Sequence, residues 1–133
     1  MKLNFINKNR NIKEITEEEM KEIIRNIQEA VILDVRSVQE YNEGHIYGAI
    51  NIPVYDLEQK ARNMLRNKDA VIIAYCSAGI RSRKAIKILM KLGYKNLYNV
   101  QEGVSIWIKK DILFFRISFF CWIGKIEFLW STT

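Results

Sequence analysis

"AVIIAYCSAGIRSRKAIKILMKLG", residues 70–93, joins a continuous apolar run to a helical pattern across one short turn that carries a cysteine. The run Ala70–Tyr75 is short, apolar throughout and bounded by polar residues, as in a strand buried on both faces of a sheet. The pattern that follows predicts a helix from about Ser82 to Leu92, with Gly93 as its left-handed stop. A thiol at such a turn sees the partial positive charge of the unpaired N–H groups at the helix start. Arg81 adds a full charge, so Cys76 is expected to ionise readily and act as a nucleophile.

The small residues between them have a matching purpose. With Ser77, Ala78 and Gly79 in the turn, the backbone can curl so that successive N–H groups point inward at an anion, and Gly79 can adopt a positive φ. Ser82 is placed to cap the helix or to donate a hydroxyl hydrogen bond. A buried structural cysteine is the competing reading, since free Cys is among the most buried residue types. It leaves the glycine, the arginine and the helix start in register unexplained.

Working outward, Thr16 stands three residues before Glu19, the spacing of a capping box, and Met20, Ile23, Ile24 and Ile27 follow at helical spacing. Ile6, Ile12 and Ile15 precede this helix as a short first strand. "AVILDV" (residues 30–35) reads as a buried strand, and Gly44, Gly48 and Pro53 punctuate the segment around the short run "AINI". "VYDLEQKARNMLRN" predicts a helix, "KNLYNV" another strand and "EGVSIWIKK" a last short helix. Buried strands alternating with helices predict a single α/β domain whose mostly parallel sheet is covered by helices on both faces. In such sheets ligands meet the carboxyl ends of the strands, where Cys76 falls.

The 133 residues suffice for one such domain, and 49% hydrophobic with 27% charged residues fits a packed globular chain. Charge is uneven: residues 1–80 carry 11 basic and 12 acidic side chains, residues 81–133 carry 10 and 3. A basic half attracts anionic partners without specifying them. Cys76, Cys121 and the lone His45 lack the paired spacing of a metal site, so neither metal nor cofactor is expected. His45 alone also argues against a Cys–His protease and is expected to be a hydrogen-bonded structural residue. The N-terminal stretch has no apolar core or cleavage site of a secretory signal, which leads to the expectation of a reducing, cytoplasmic setting.

Several pieces, in order, resemble the rhodanese-like domains, a family of single-domain sulfurtransferases. "LDVRSVQEYNEGHIYGAINIP" is similar to the family's Asp-Val-Arg, Glu-Tyr, Gly-His-Ile, Gly-Ala and Asn-Ile-Pro stretch, "YCSAGIRS" to its active-site loop, and "LGYKNLYNVQEGVSIW" to its Leu-Gly-Tyr, Tyr, Gly and Trp ending. The resemblance implies a rhodanese-like domain over 1–110, with Cys76 taking a sulfane sulfur from a small anionic donor such as thiosulfate. Cys76 would hold it as a persulfide and pass it to cyanide, a thiol or a protein acceptor. Ser77, Ala78, Gly79, Ile80, Arg81 and Ser82 would line the donor site, and Asp34 and Arg36 would support it. Arg36 is expected to pair with Glu40 or Glu43, and Asp34 to accept backbone hydrogen bonds. No nucleic-acid partner is expected. Phosphatases of the same architecture place five residues between Cys and Arg, whereas this chain has four, Ser77 to Ile80, a smaller cradle that favours sulfur. A rhodanese module that only binds a partner or relays sulfur is the alternative.

Two positions depart from the family. Glu102-Gly103 replaces a Gly-Gly pair, and Ser77 stands where many members carry a second arginine. Residues 111–133, "DILFFRISFFCWIGKIEFLWSTT", form an atypical hydrophobic tail that includes Cys121. Arg116, Lys125 and Glu127 leave only Ile117 to Gly124 uninterrupted, far short of the roughly 20 apolar residues of a membrane span. Packing on the domain or on a partner copy is expected ahead of membrane contact.

Overall fold

The structure, a computed structural model, describes residues 12–103. Its elements follow in the order β1 (Lys13–Ile15), α1 (Glu17–Asn26), β2 (Val31–Asp34), α2 (Val38–Glu43), β3 (Ile50–Asn51), a 3-10 turn (Val54–Asp56), α3 (Leu57–Met64), β4 (Val71–Tyr75), α4 (Ile80–Lys91) and β5 (Asn96–Val100). The strands form one sheet in the order β1-β5-β4-β2-β3, and every neighbouring pair is parallel. The register sets Asp34 of β2 opposite Tyr75 of β4.

Alternate side chains of the central strands enter two cores. On one face Ile32, Ile73, Tyr75 and Val100 meet Met20 and Ile24 of α1. On the other, Leu33, Ile72, Ala74, Cys76 and Leu97 meet Leu57 and Ala61 of α3 and Ala85, Ile86 and Leu89 of α4. Ile72, Ile73, Ala74 and Tyr75 have no exposed surface, which is why β4 reads as an unbroken apolar run. Fully burying each large aliphatic chain contributes about 1.5–3 kcal/mol.

The Thr16 capping box forms: Glu19 N–H donates to Thr16 Oγ1 at 3.2 Å and Thr16 N–H to the Glu19 carboxylate at 2.8 Å. A second box, Ser37 with Glu40, opens α2. That helix was not expected, because its six residues bury no side chain and show no apolar period. α4 starts at Ile80, two residues before the expected Ser82, since Gly79 in the left-handed region at φ +87° already turns the chain into the helix. Gly93, at φ +97°, ends it as expected. "VYDLEQK" opens with a 3-10 turn before α3. Ile6, the helix expected after Gly103, the 111–133 tail and Cys121 lie outside the described residues. Among the described residues no helix is long and apolar enough to cross a membrane.

Candidate active site

Cys76 follows β4 directly, and the turn brings Gly79 N–H to 3.0 Å and Ser82 N–H to 3.4 Å from its sulfur. Ser82 Oγ lies 3.4 Å from the same sulfur. The thiol is buried, 1% exposed, and burial alone would push its pKa up. The hydrogen bonds from the Ser82 hydroxyl and from the Ser82, Ala78 and Gly79 N–H groups outweigh that cost and leave the pKa below the ordinary thiol value. These donors favour the charged form because the N–H groups of a helix start and the turn before it have no other acceptor.

Two glycines allow the turn to close. A Cβ on Gly79 would stand 2.3 Å from the Gln101 carbonyl oxygen. On Gly103 it would stand 2.1 Å from the Ser77 carbonyl oxygen and 2.6 Å from Ala78 N. Gly103 therefore packs directly against the Ser77–Ala78 peptide, a position with no room for a side chain. Asn99, fully buried on β5, donates to Glu14 at 3.0 Å and to the Gly79 carbonyl at 3.4 Å, tying the turn to β1. Neither Asn99 nor Glu14 was singled out from the sequence, since their meeting depends on the pairing of β1 with β5.

Of the expected donor-site residues, Gly79 and Ser82 contact the sulfur, and the Ala78 N–H favours its ionised form. Ile80 turns outward, 72% exposed, and Ser77 Oγ faces Glu40 at 3.4 Å. Arg81 makes a two-pronged pair with Glu40: Nη1 to Oε1 at 2.6 Å and Nη2 to Oε2 at 3.0 Å. The Arg81 hydrogen bonds, against the opposing effect of burial and with help from Ser37, lower the Glu40 carboxyl from its ordinary 4.5 to about 2. An acid whose folded value is depressed contributes its full stabilisation above its unfolded value and loses it only as pH falls toward the folded one. The pair thus persists from neutrality down through pH 4.5 and fails near pH 2.

The expected pairing of Arg36 with Glu40 or Glu43 is corrected. Arg36 binds Asp34, with Nε 3.0 Å from Oδ1 and Nη2 2.7 Å from Oδ2, and Nη2 also donates to the Gly44 carbonyl at 2.6 Å. Glu40 lies on α2, across the site, where Arg81 claims it. Asp34 does accept a backbone hydrogen bond as expected, from Arg36 N at 2.9 Å, and the Tyr75 hydroxyl donates to it at 2.7 Å. Asn51 Nδ2 donates to the Asp34 and Arg36 carbonyls, both at 3.0 Å. Asp34 and Arg36 are therefore a buried staple beneath the segment that carries α2. His45 is structural as expected: its Nδ1 lies 2.7 Å from the Tyr41 carbonyl and its ring stacks on Tyr41 at 3.6 Å.

Ser82→Ala should slow iodoacetamide alkylation of Cys76 near pH 6 by about three- to tenfold, because one hydrogen bond to the charged sulfur is lost. The alkylation midpoint should move to higher pH while the plateau at high pH stays; an unmoved midpoint would show that Ser82 does not stabilise the thiolate. Measuring the whole pH profile separates ionisation from access to the buried sulfur.

A parallel sheet with a thiol cradled by backbone N–H groups at the carboxyl end of a central strand defines the class of this α/β domain. The family model for the rhodanese-like domain matches residues 16–110, and the chain belongs to that family. YrkF of Bacillus subtilis (strain 168), named as a proposed sulfur carrier protein, is 35% identical over 99 residues, covering 74% of this chain. The match takes in 52% of YrkF, so the chain spans about half the length of that relative. The thiosulfate sulfurtransferase PspE of Escherichia coli (strain K12) is 34% identical over 67 residues, 50% of this chain and 64% of PspE. A crystal structure of a rhodanese-like domain protein from Staphylococcus aureus superposes with a TM-score of 0.64 at 29% identity, covering 75% of this chain and 95% of that one.

Proposed function

We propose that the chain is a sulfurtransferase working through a Cys76 persulfide in a reducing, cytoplasmic setting. The Cys76 thiolate attacks the outer sulfur of a sulfane donor; the donor's S–S bond breaks and its electron pair leaves on the remaining fragment, sulfite from thiosulfate or a thiolate from an organic persulfide. An acceptor thiolate or cyanide then attacks the outer persulfide sulfur, and Cys76 departs as thiolate. The convergence of the Gly79 and Ser82 N–H groups and the Ser82 hydroxyl on one sulfur carries the reading. The same donors suit a terminal persulfide anion, and an ionised thiol needs no separate base. The relatives named as a thiosulfate sulfurtransferase and a proposed sulfur carrier support sulfur chemistry at this site.

Intact-protein mass spectrometry tests it. After incubation with a sulfane donor the protein should gain the mass of one sulfur atom, lose it on addition of cyanide, and show no gain as Cys76→Ser. A folded wild-type protein that loads from neither thiosulfate nor an organic persulfide would favour the partner-binding module.

A further inference from the structure

Among the described residues, Arg36, Arg81 and Arg83 near the Cys76 turn are each held by a carboxylate. Arg36 is held by Asp34 and Arg83 by Glu14, with Nη2 to Oε1 at 3.1 Å. Arg81, on the first turn of α4, gives one terminal nitrogen to each oxygen of Glu40, at 2.6 and 3.0 Å. Glu40 is itself fixed from the other side, where its Oε1 accepts the Ser37 N–H and the Ser37 hydroxyl, both at 3.1 Å. Ser77 Oγ also leans on the carboxylate at 3.4 Å. The mouth of the turn thus presents a neutral ion pair beside the sulfur. A dianion such as thiosulfate arriving there meets the Glu40 charge and must compete with it for Arg81, and each step costs binding. An organic persulfide entering as the neutral RS–SH form meets the same backbone N–H groups without that competition, and the negative charge sits on the transferred sulfur only once it is on Cys76.

This inference rests on the sulfur-transfer reading and narrows its donor. We infer that Glu40 is a specificity-determining positioning residue that blocks the Arg81 guanidinium against dianions, so that the site takes sulfur from a persulfide borne on an organic or protein thiol in preference to thiosulfate. In the transfer, the Cys76 thiolate bonds to the outer sulfur and the RS–S bond breaks. The electron pair stays on RS, which takes the proton the outer sulfur carried. Glu40→Gln is the discriminating change, because glutamine keeps the capping box of α2 and a hydrogen bond to Arg81 while removing the charge.

Initial rates of Cys76 persulfidation, read by intact mass with thiosulfate and with hydroxyethyl persulfide, should show the thiosulfate kcat/KM rising about tenfold in Glu40→Gln, mainly through KM, and the persulfide rate changing less than about twofold. A donor ratio equal to that of wild type, or a fall with both donors, overturns the inference. Should the variant fail to fold, protection of wild-type Cys76 from iodoacetamide by sulfate decides: no protection at millimolar sulfate supports the inference, and protection overturns it. Loading of wild type by neither donor overturns the sulfur-transfer reading and this inference with it, whereas loading with an unchanged ratio overturns the inference alone.

Discussion

Asp34→Ala should lower the unfolding free energy by about 3–5 kcal/mol, the cost of stripping a buried charge of its partner. The Asp34 side chain has no exposed surface and that of Arg36 is 6% exposed. Removing the carboxylate leaves the guanidinium with one neutral acceptor, the Gly44 carbonyl, and leaves the Tyr75 hydroxyl without its acceptor. Against a total stability of about 5–15 kcal/mol, a loss of that size brings a small domain near its threshold. Urea unfolding followed by circular dichroism should show the midpoint falling with little change in slope. The double variant Asp34→Ala with Arg36→Met should recover part of the loss, since the uncompensated charge is then gone as well. A single-variant loss below about 1 kcal/mol would mean that water reaches the pair and screens it.

The second large effect is expected at Gly103. It sits at φ +70°, and an alanine Cβ there would lie 2.1, 2.3 and 2.6 Å from the Ser77 oxygen, the Ser77 carbonyl carbon and Ala78 N, all backbone atoms. The left-handed conformation alone costs an alanine about 1–2 kcal/mol. The clash adds a functional consequence, because the displaced Ser77–Ala78 peptide leads directly to the N–H groups that hold the Cys76 sulfur. Gly103→Ala should therefore slow Cys76 alkylation near pH 6 by about tenfold or more, each tenfold step being 1.36 kcal/mol of lost thiolate stabilisation. Gly48→Ala supplies the control: Gly48 has a similar φ of +83° with nothing within 4 Å of the added Cβ. It should destabilise the protein and leave alkylation unchanged. Equal effects of the two variants on alkylation would show that Gly103 does not support the turn.

Much of the site is written locally. β4, the glycine turn and α4 are consecutive, so Cys76, Gly79 and Ser82 are brought together by a few dihedral angles, and an apolar run followed by small residues and a helical period is enough to see it. The Thr16 capping box was equally visible, because its two hydrogen bonds join residues three apart. The matching Ser37-x-x-Glu40 spacing is present too, but α2 buries nothing, and without an apolar period the spacing alone does not predict a helix. The reason for a glycine at 103 lies in Ser77, a backbone neighbour from a distant part of the chain that local spacing does not reveal.

Local order of residue types, then, determined the α/β class, the alternation of buried strands with helices and the place of the Cys76 thiol between a strand end and a helix start, because those depend on periodicity and on groups within one turn of each other. Charge partnership was decided only in three dimensions. Arg36 has Asp34, Glu40 and Glu43 within eight residues, and spacing alone cannot choose among them. Parallel pairing of β2 with β4 sets Asp34 against Tyr75 and buries it under Arg36. The same pairing lays α2 beside the Cys76 turn and gives Glu40 to Arg81, 41 residues further along the chain. An ion pair forms where two side chains meet at hydrogen-bond distance, and for residues so far apart that meeting is set by strand order and register.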